Sequence, residues 1–487
     1  MILQRLGGGK NGADQALILT PALEKAIAKR GVSESRQRKP FKPKIFLCLF
    51  LAFLWVLWPG TGFSQAPPPV PLELPPVIDP GQLEKRFEPL PEPLSEPEPG
   101  VPAPKPPEAP IVAEQIRFVL KYLVLEGITV YRPEELLPLY EEFLNREILV
   151  SDVVIIAERV PAKYRNDGYL LSQAIIPPQT IKDGVVRIQV IEGAIDDVKI
   201  EGTLKDSTKR LQRYARKIVA SRPLRSRDLE RYLLLAGDLA GVDVTAVLEP
   251  SATEPGMSTM TLVVEEKRID GFASVDNRGS KFVGPWQFQA GTSINSIFDR
   301  NDQTRIRVAV APEIKELRYG EITHEQPVGG EGTTIQGVIR GTLSEPGDTL
   351  KELEIETRSF SINLLVRHPF IRSRPKNLSG RLLLHYRDSS TDILQAPFTE
   401  DRIRAIRGGL TYDFVDKHRG INLVDLEVSQ GLDILDATET GSPNLSRANA
   451  RSNFLKSPGS HLAFRGCGET PACIFKEWGS TAPMHCR

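Results

Sequence analysis

Few residues in this 487-residue chain are spaced for bond chemistry. The run "GGGKNG" at 7–12 has the glycines and lysine of a phosphate-cradling loop, but lacks the Lys-Ser/Thr ending and a preceding strand. His324-Glu325 opens the pattern of a zinc-binding helix, yet the second histidine is missing and the segment reads as strand. Cys467, Cys473, His485 and Cys486 are zinc ligands by type, and their spacing fits no standard site. No Gly-x-Ser-x-Gly elbow occurs. The chain reads as non-enzymatic, with no catalytic residue, cofactor or metal expected.

The most organised stretch is instead "YRNDGYLLSQAIIPPQTIKDGVVRIQVIEG", Tyr164 to Gly193, which has no His and no Cys. Around it the pattern is strand ("EQIRFVLKYLVLEGITVY"), helix ("PEELLPLYEEFLNREI"), helix ("SDVVIIAERVPAKYRNDG", capped by Ser151 or Asp152), then strands "YLLSQAII" and "VVRIQVIE" joined at Lys182-Asp183-Gly184. The order recurs: strand "AIDDVKIEGT", helices "STKRLQRYARKIVA" and "SRDLERYLLLAGDLAG", strands "VDVTAVLEP" and "STMTLVVEEK". Two tandem βααββ units are predicted, over 111–193 and 194–267.

Flanking segments set the compartment. "IFLCLFLAFLWVLW", Ile45 to Trp58, follows the basic "RQRKPFKPK" and precedes small residues, which is the layout of a secretory signal peptide within residues 1–66. A retained membrane anchor is the alternative, although the run is shorter than the roughly 20 residues a spanning helix needs. Cysteine is absent from 49 to 466, so disulfides do not hold the main fold. Residues 67–110 carry 17 of the 40 prolines and read as an extended spacer without a core. Lys+Arg and Asp+Glu balance at 62 each, so nothing draws the chain to nucleic acid.

From 268 to 454 helical periodicity gives way to nine alternating segments punctuated by Gly, Pro, Asn and Asp. In "TRIRVAV" Arg305 and Arg307 alternate with Ile306 and Val308, and "RIRAIR" was built in the same manner around Arg402, Arg404 and Arg407. Such strands suit a transmembrane barrel with a polar lumen; a soluble β-sandwich alternates too. Arg305, Arg307, Arg402 and Arg404 are the pore-lining candidates. The tail, 455–487, turns abruptly to Cys, Trp and small residues and is expected to lack strands, as a frameshifted or truncated end would.

These residues resemble a known family, the two-partner secretion transporters, also called hemolysin secretion/activation proteins. Gly168-Tyr169, Pro177 with Gln179, Gly184 and Glu192-Gly193 resemble the end of its first POTRA domain, and "PLRSRDLERYLLLAGDLAGVDVTAVLEP" (223–250) its second. "DNRGS", Asp276 to Ser280, resembles the entry into the barrel, with "HPFIRS" (368–373) a weaker echo. The resemblance covers 111–454. The family's Val-Arg-Gly-aromatic loop motif is not found; "FRG" at Phe464 to Gly466 matches only superficially.

The resemblance implies an α+β pair of POTRA domains in the periplasm and an antiparallel transmembrane β-barrel in the outer membrane of a Gram-negative cell, here incomplete. It implies a monomeric pore in contact with outer-membrane lipid that exports a secreted exoprotein client. The edge strand of the first POTRA-like domain, with Tyr169, Leu170, Ser172, Ala174 and Ile176, is the candidate client site, where an extended chain would add by backbone pairing. An outer-membrane assembly factor and a periplasmic binding module remain the alternatives.

Overall fold

The computed structural model describes residues 78–88, 92–96, 116–202, 208–298, 300–439, 441–447, 450–457, 459–467 and 470–477. The signal peptide, most of the Pro-rich spacer and the end of the tail lie outside them.

The first α+β unit holds strands β1 (Arg117–Leu120), β2 (Tyr122–Glu126), β3 (Arg146–Leu149), β4 (Gln173–Ile175) and β5 (Val185–Ile191), with α2 (Pro133–Leu136) and α3 (Val150–Asn166). Its main sheet runs β2-β5-β4, with β2 parallel and β4 antiparallel to the central β5. The first expected helix breaks up: α2 gives one turn, two 3₁₀ turns follow, and the chain then forms β3 against β1. Pro138 explains the break, because it has no N–H with which to continue the helical bonding, although Leu137 itself keeps helical dihedrals. The cap of α3 also differs from expectation. Leu149 is the N-cap, and the Asp152 carboxylate accepts from its amide at 2.8 Å. Strand β4 is shorter than "YLLSQAII": Leu170-Leu171 form a turn before it, and Pro177-Pro178 removes two donors soon after it.

The second unit keeps the predicted order: β6 (Ile195–Gly202), α4 (Thr208–Val219), α5 (Ser226–Gly237), β7 (Val242–Pro250) and β8 (Ser258–Glu266). Its sheet, β6-β8-β7, repeats the parallel-then-antiparallel arrangement. Each unit has its own core. Leu120, Leu136, Ile156 and Ile188 close the first, and Leu211, Ile218, Leu235, Met260 and Leu262 the second. Burying each such side chain contributes about 1.5–3 kcal/mol.

Next come nine antiparallel strands in sequence order: β9 (Ile269–Asp276), β10 (Gln287–Asn295), β11 (Gln303–Val310), β12 (Arg318–Val328), β13 (Thr333–Ser344), β14 (Glu356–Arg372), β15 (Lys376–Ile393), β16 (Ala396–Val415) and β17 (Ile421–Gly431). All nine alternating segments of the sequence become strands. The sheet does not stop at Phe454, however. The short β18 (Leu455–Lys456) pairs with β17, and a hairpin of β19 (Gly459–Cys467) and β20 (Thr470–Glu477) extends it further. The expectation of a strandless tail is therefore corrected. An edge strand recruits backbone groups, and that pairing does not need apolar alternation in its partner. Among the described residues β9 and β20 are the two ends of the sheet, and they do not pair.

One more element was not foreseen. Within the Pro-rich stretch, α1 (Pro80–Lys85) forms a helix capped by Asp79, whose carboxylate accepts from the Gly81 amide at 2.6 Å. Pro80 sits at the first helical position, where its missing N–H costs nothing. No helix among the described residues is long and apolar enough to cross a membrane, which says nothing of crossing by strands.

Candidate functional site

The organised stretch at 164–193 works as a set of fasteners. Glu192, at the end of β5, accepts from the Thr129 and Val130 amides at 2.7 and 2.9 Å, from the Thr129 hydroxyl, and from the Tyr164 hydroxyl at 2.6 Å. It thus ties the last strand to the loop after β2 and to α3. Burial pushes its carboxyl up, but the Thr129 and Tyr164 hydroxyls and the two amides outweigh that, and the net displacement is downward. Burial and the bond to Glu192 raise the Tyr164 phenol. Gln179 acts as a substitute strand: its side chain accepts from the Arg187 amide at 2.8 Å and donates to the Arg187 carbonyl at 2.7 Å. Asp183 and Gly184 both have positive φ, 53° and 72°, which suits the tight turn before β5. Gly193 lies against the Leu171 carbonyl so closely that a Cβ there would collide with it.

Glu192 therefore supports a first prediction. Glu192→Ala should destabilise the first domain by about 2–3 kcal/mol, because it strands donors in a half-buried loop. The folded carboxyl titrates below its unfolded value of about 4.3, so its contribution is full above that pH and lost as pH falls through the folded value. Urea melts of residues 116–267 at pH 7 and pH 3 check both: the difference between wild type and Glu192→Ala should reach about 2–3 kcal/mol at pH 7 and shrink at pH 3.

The candidate client residues do not share one surface. Tyr169 is half-buried, packed edge-on against Tyr164. Ser172 is 3% exposed and precedes β4, while Ala174 and Ile176 pack onto the core under α3. Leu170 alone of the five is exposed. The outward positions of β4 are Gln173 and Ile175, the latter 46% exposed although its apolar type suggests core. Ala174 fixes the parity, so period-2 alternation places Ile175 outside. β4 is nonetheless an edge of its sheet, as the candidate site requires.

The long sheet has two chemically distinct faces. Its inner face, on which α1 lies, carries Glu321, Arg340, Ser359, Ser361, Asn363 and Arg387, several joined in ion pairs and hydrogen bonds. Its outer face is an apolar band with Val308, Ile362, Leu364, Leu382, Leu384, Leu410, Leu426 and Val428 exposed. The register keeps the two sets apart, since outward residues stand opposite outward residues, as in Ile362↔Tyr386 and Leu364↔Leu384.

Arg305 and Arg307 belong to the inner face, and Arg307 donates to the Phe87 carbonyl at 2.8 Å. Arg402 and Arg404 do not. Arg404 stands opposite Tyr386 on the outer side, with its guanidinium 3.6 Å from the centre of that ring and 2.7 Å from Asp388. Arg402 pairs with Glu400 at 2.6 Å and with Asp436. Parity explains the correction: Arg402 and Arg404 are in step with Leu410 and Tyr412, whereas Arg407, three residues after Arg404, is out of step and turns inward. Sequence reasoning missed the inward cluster of Arg381, which makes paired bonds to Asp425 at 2.6 and 2.8 Å and reaches Glu427 at 3.0 Å. The alternation of Asp425 and Glu427 with Leu426 and Val428 was its signal.

Helix α1 is fastened to that inner face. Glu84, 3% exposed, accepts from the Ser359 hydroxyl at 2.6 Å and faces Arg387 at 3.7 Å. Glu88 takes Arg340 at 2.6 Å, and Phe87 stacks on Tyr319 with centroids 4.2 Å apart. At one end of the sheet the second α+β unit grips the β12–β13 and β14–β15 turns. Arg372 makes two 2.8 Å bonds to Asp238, and Arg231 donates to the Pro369 carbonyl at 3.1 Å. Lys217 reaches Glu331 at 3.0 Å.

Comparison with known proteins follows the same division. Residues 118–193 match the POTRA domain of ShlB type, and residues 256–462 match the haemolysin secretion/activation protein ShlB/FhaC/HecB. The heme/hemopexin transporter protein HuxB of Haemophilus influenzae is 26% identical over 265 residues, 54% of this chain and 46% of that protein. The outer membrane transporter CdiB of Escherichia coli is 25% identical over 202 residues, 41% of this chain and 34% of the relative. The chain thus spans about half the length of HuxB, or less of CdiB. The solved structure of CdiB from Escherichia coli superposes with a TM-score of 0.59 at 19% identity, covering 76% of this chain and 70% of that one, which shows a shared fold. With ShlB-type matches to both its POTRA and its sheet regions, the chain belongs to the haemolysin secretion/activation family of two-partner secretion transporters, outer-membrane proteins with periplasmic POTRA domains.

Proposed function

We propose that this chain is the exporter of a two-partner system, which receives a secreted exoprotein on its POTRA domains and passes it through the barrel to which its sheet contributes. The observation that carries this reading is the two-faced sheet. An exposed apolar band opposite a charged, hydrogen-bonded face suits lipid on one side and a water-filled passage on the other. A soluble sandwich would bury its apolar face instead. The edge of β4 supports the receiving half, because an extended client segment adds there through its main chain. In a bilayer the free edge of β9 must also find a strand partner, since unpaired backbone groups facing hydrocarbon cost several kcal/mol each. On this reading the barrel acts as a monomeric pore with lipid around it.

The test is cell fractionation with heat-modifiability. The chain should sediment with outer membranes, resist carbonate extraction, and migrate faster in unheated than in heated detergent gels. Recovery in the soluble periplasmic fraction, with no heat shift, would replace the exporter with a periplasmic binding module.

A further inference from the structure

The far end of the sheet, away from the Arg372 turn, borders an open cleft of about 1320 Å³ between α1, strands β15 to β17 and the segment over 443–447 and 450–456. That segment is held in place by a 2.7 Å bond from the Glu400 amide to the Asn444 carbonyl and another from the Gly431 amide to the Phe454 carbonyl. Gln430 also donates to Asn453 at 2.7 Å. Seven of the lining residues are cationic and three are anionic. Three of the seven have carboxylate neighbours: Arg387 faces Glu84, Arg402 meets Glu400 and Asp436, and Arg407 lies 3.9 Å from Glu427. Lys85, Arg447, Arg451 and Lys456 have no ion-pair partner among the described residues. A cleft lined by one sign of charge focuses its field and concentrates the opposite sign.

We propose that this cleft binds carboxylate-rich stretches of polypeptide. The inference deepens the export reading by naming the charge of the client segment that the exit end would hold. Phosphate-bearing surfaces are a weaker fit. The uncompensated cations come from α1 and from the overlying segment, so they converge on a cleft instead of forming a flat patch. Lys85 and Lys456 act as point charges and the guanidinium forks of Arg447 and Arg451 match carboxylates, all four on long side chains, so recognition is by charge and not by sequence.

The purified full chain in zwitterionic detergent micelles tests this with a fluorescein-labelled ten-residue oligoglutamate, followed by anisotropy. Binding is expected at low salt, at least tenfold tighter than for a matched oligolysine, and weakened at least tenfold by 0.5 M NaCl. The triple variant Arg447→Glu, Arg451→Glu and Lys456→Glu alters exposed side chains without touching a core and should lose at least tenfold in affinity. Equal binding of the two peptides, absence of oligoglutamate binding, or unchanged affinity in the triple variant would overturn the proposal. A chain that binds oligoglutamate yet stays out of the outer-membrane fraction would contradict the export reading and leave this site standing.

Discussion

Replacing Arg372 with alanine is expected to release the second POTRA domain from the sheet. The Arg372 side chain is 8% exposed and makes two parallel 2.8 Å bonds to Asp238 plus a 3.0 Å bond to Asn377, which in turn donates to Asp413. Breaking a buried pair by removing one partner costs about 3–5 kcal/mol; Asp238 is 38% exposed, which places this case nearer about 3 kcal/mol. The same junction also holds Lys217, Arg231 and Tyr232 on Glu331, the Arg374 amide on Glu230, and bonds from Arg210, Arg213 and Arg231 to turn carbonyls, but none of these is a paired charged bond like that of Arg372 to Asp238. Hydrogen exchange would report the loss as faster exchange over α5 and the 329–332 turn, by roughly a hundredfold for about 3 kcal/mol. The swap of Arg372→Asp with Asp238→Arg should restore part of the protection, which loss of a general fold would not allow.

The second large effect concerns α1. Glu84 in the helix and Glu88 in the turn after it meet buried or half-buried arginines, and Leu83 and Phe87 are buried against the inner face. Reversing both charges, Glu84→Lys with Glu88→Lys, places like charges beside Arg387 and Arg340 in a site largely shielded from water. Each change also removes a charge-assisted bond of about 1.5–3 kcal/mol. The segment should leave the sheet. Limited trypsin treatment in detergent should then cut after Lys85 and Arg86 at least tenfold faster than in the parent chain. Equal cutting rates would mean that the ion pairs do not hold α1 down.

The two βααββ units and all nine long strands were legible because their apolar residues recur at the helix or strand period. The broken helix at 133–143 was not, because a run of acids and leucines outweighed the single Pro138. Helix α1 was hidden for a different reason: composition argued for an extended chain, while its order depends on partners more than 250 residues away, such as Ser359 and Arg340. Ser172, Ala174 and Ile176 were read as a docking surface because the edge was inferred without its parity. Arg402 and Arg404 failed by the same route, grouped with Arg407 by composition when counting by twos divides them.

The central claim is that the sheet spans a bilayer with its apolar face to lipid. The most direct measurement is spin-label accessibility along β14, residues 359 to 366, in a cysteine-free background reconstituted in liposomes. Labels at Phe360, Ile362, Leu364 and Val366 should favour collisions with oxygen, and labels at Ser359, Ser361, Asn363 and Leu365 should favour a water-soluble nickel complex, alternating with period two. Uniform accessibility, or water contact at the even positions, would contradict a membrane-spanning strand.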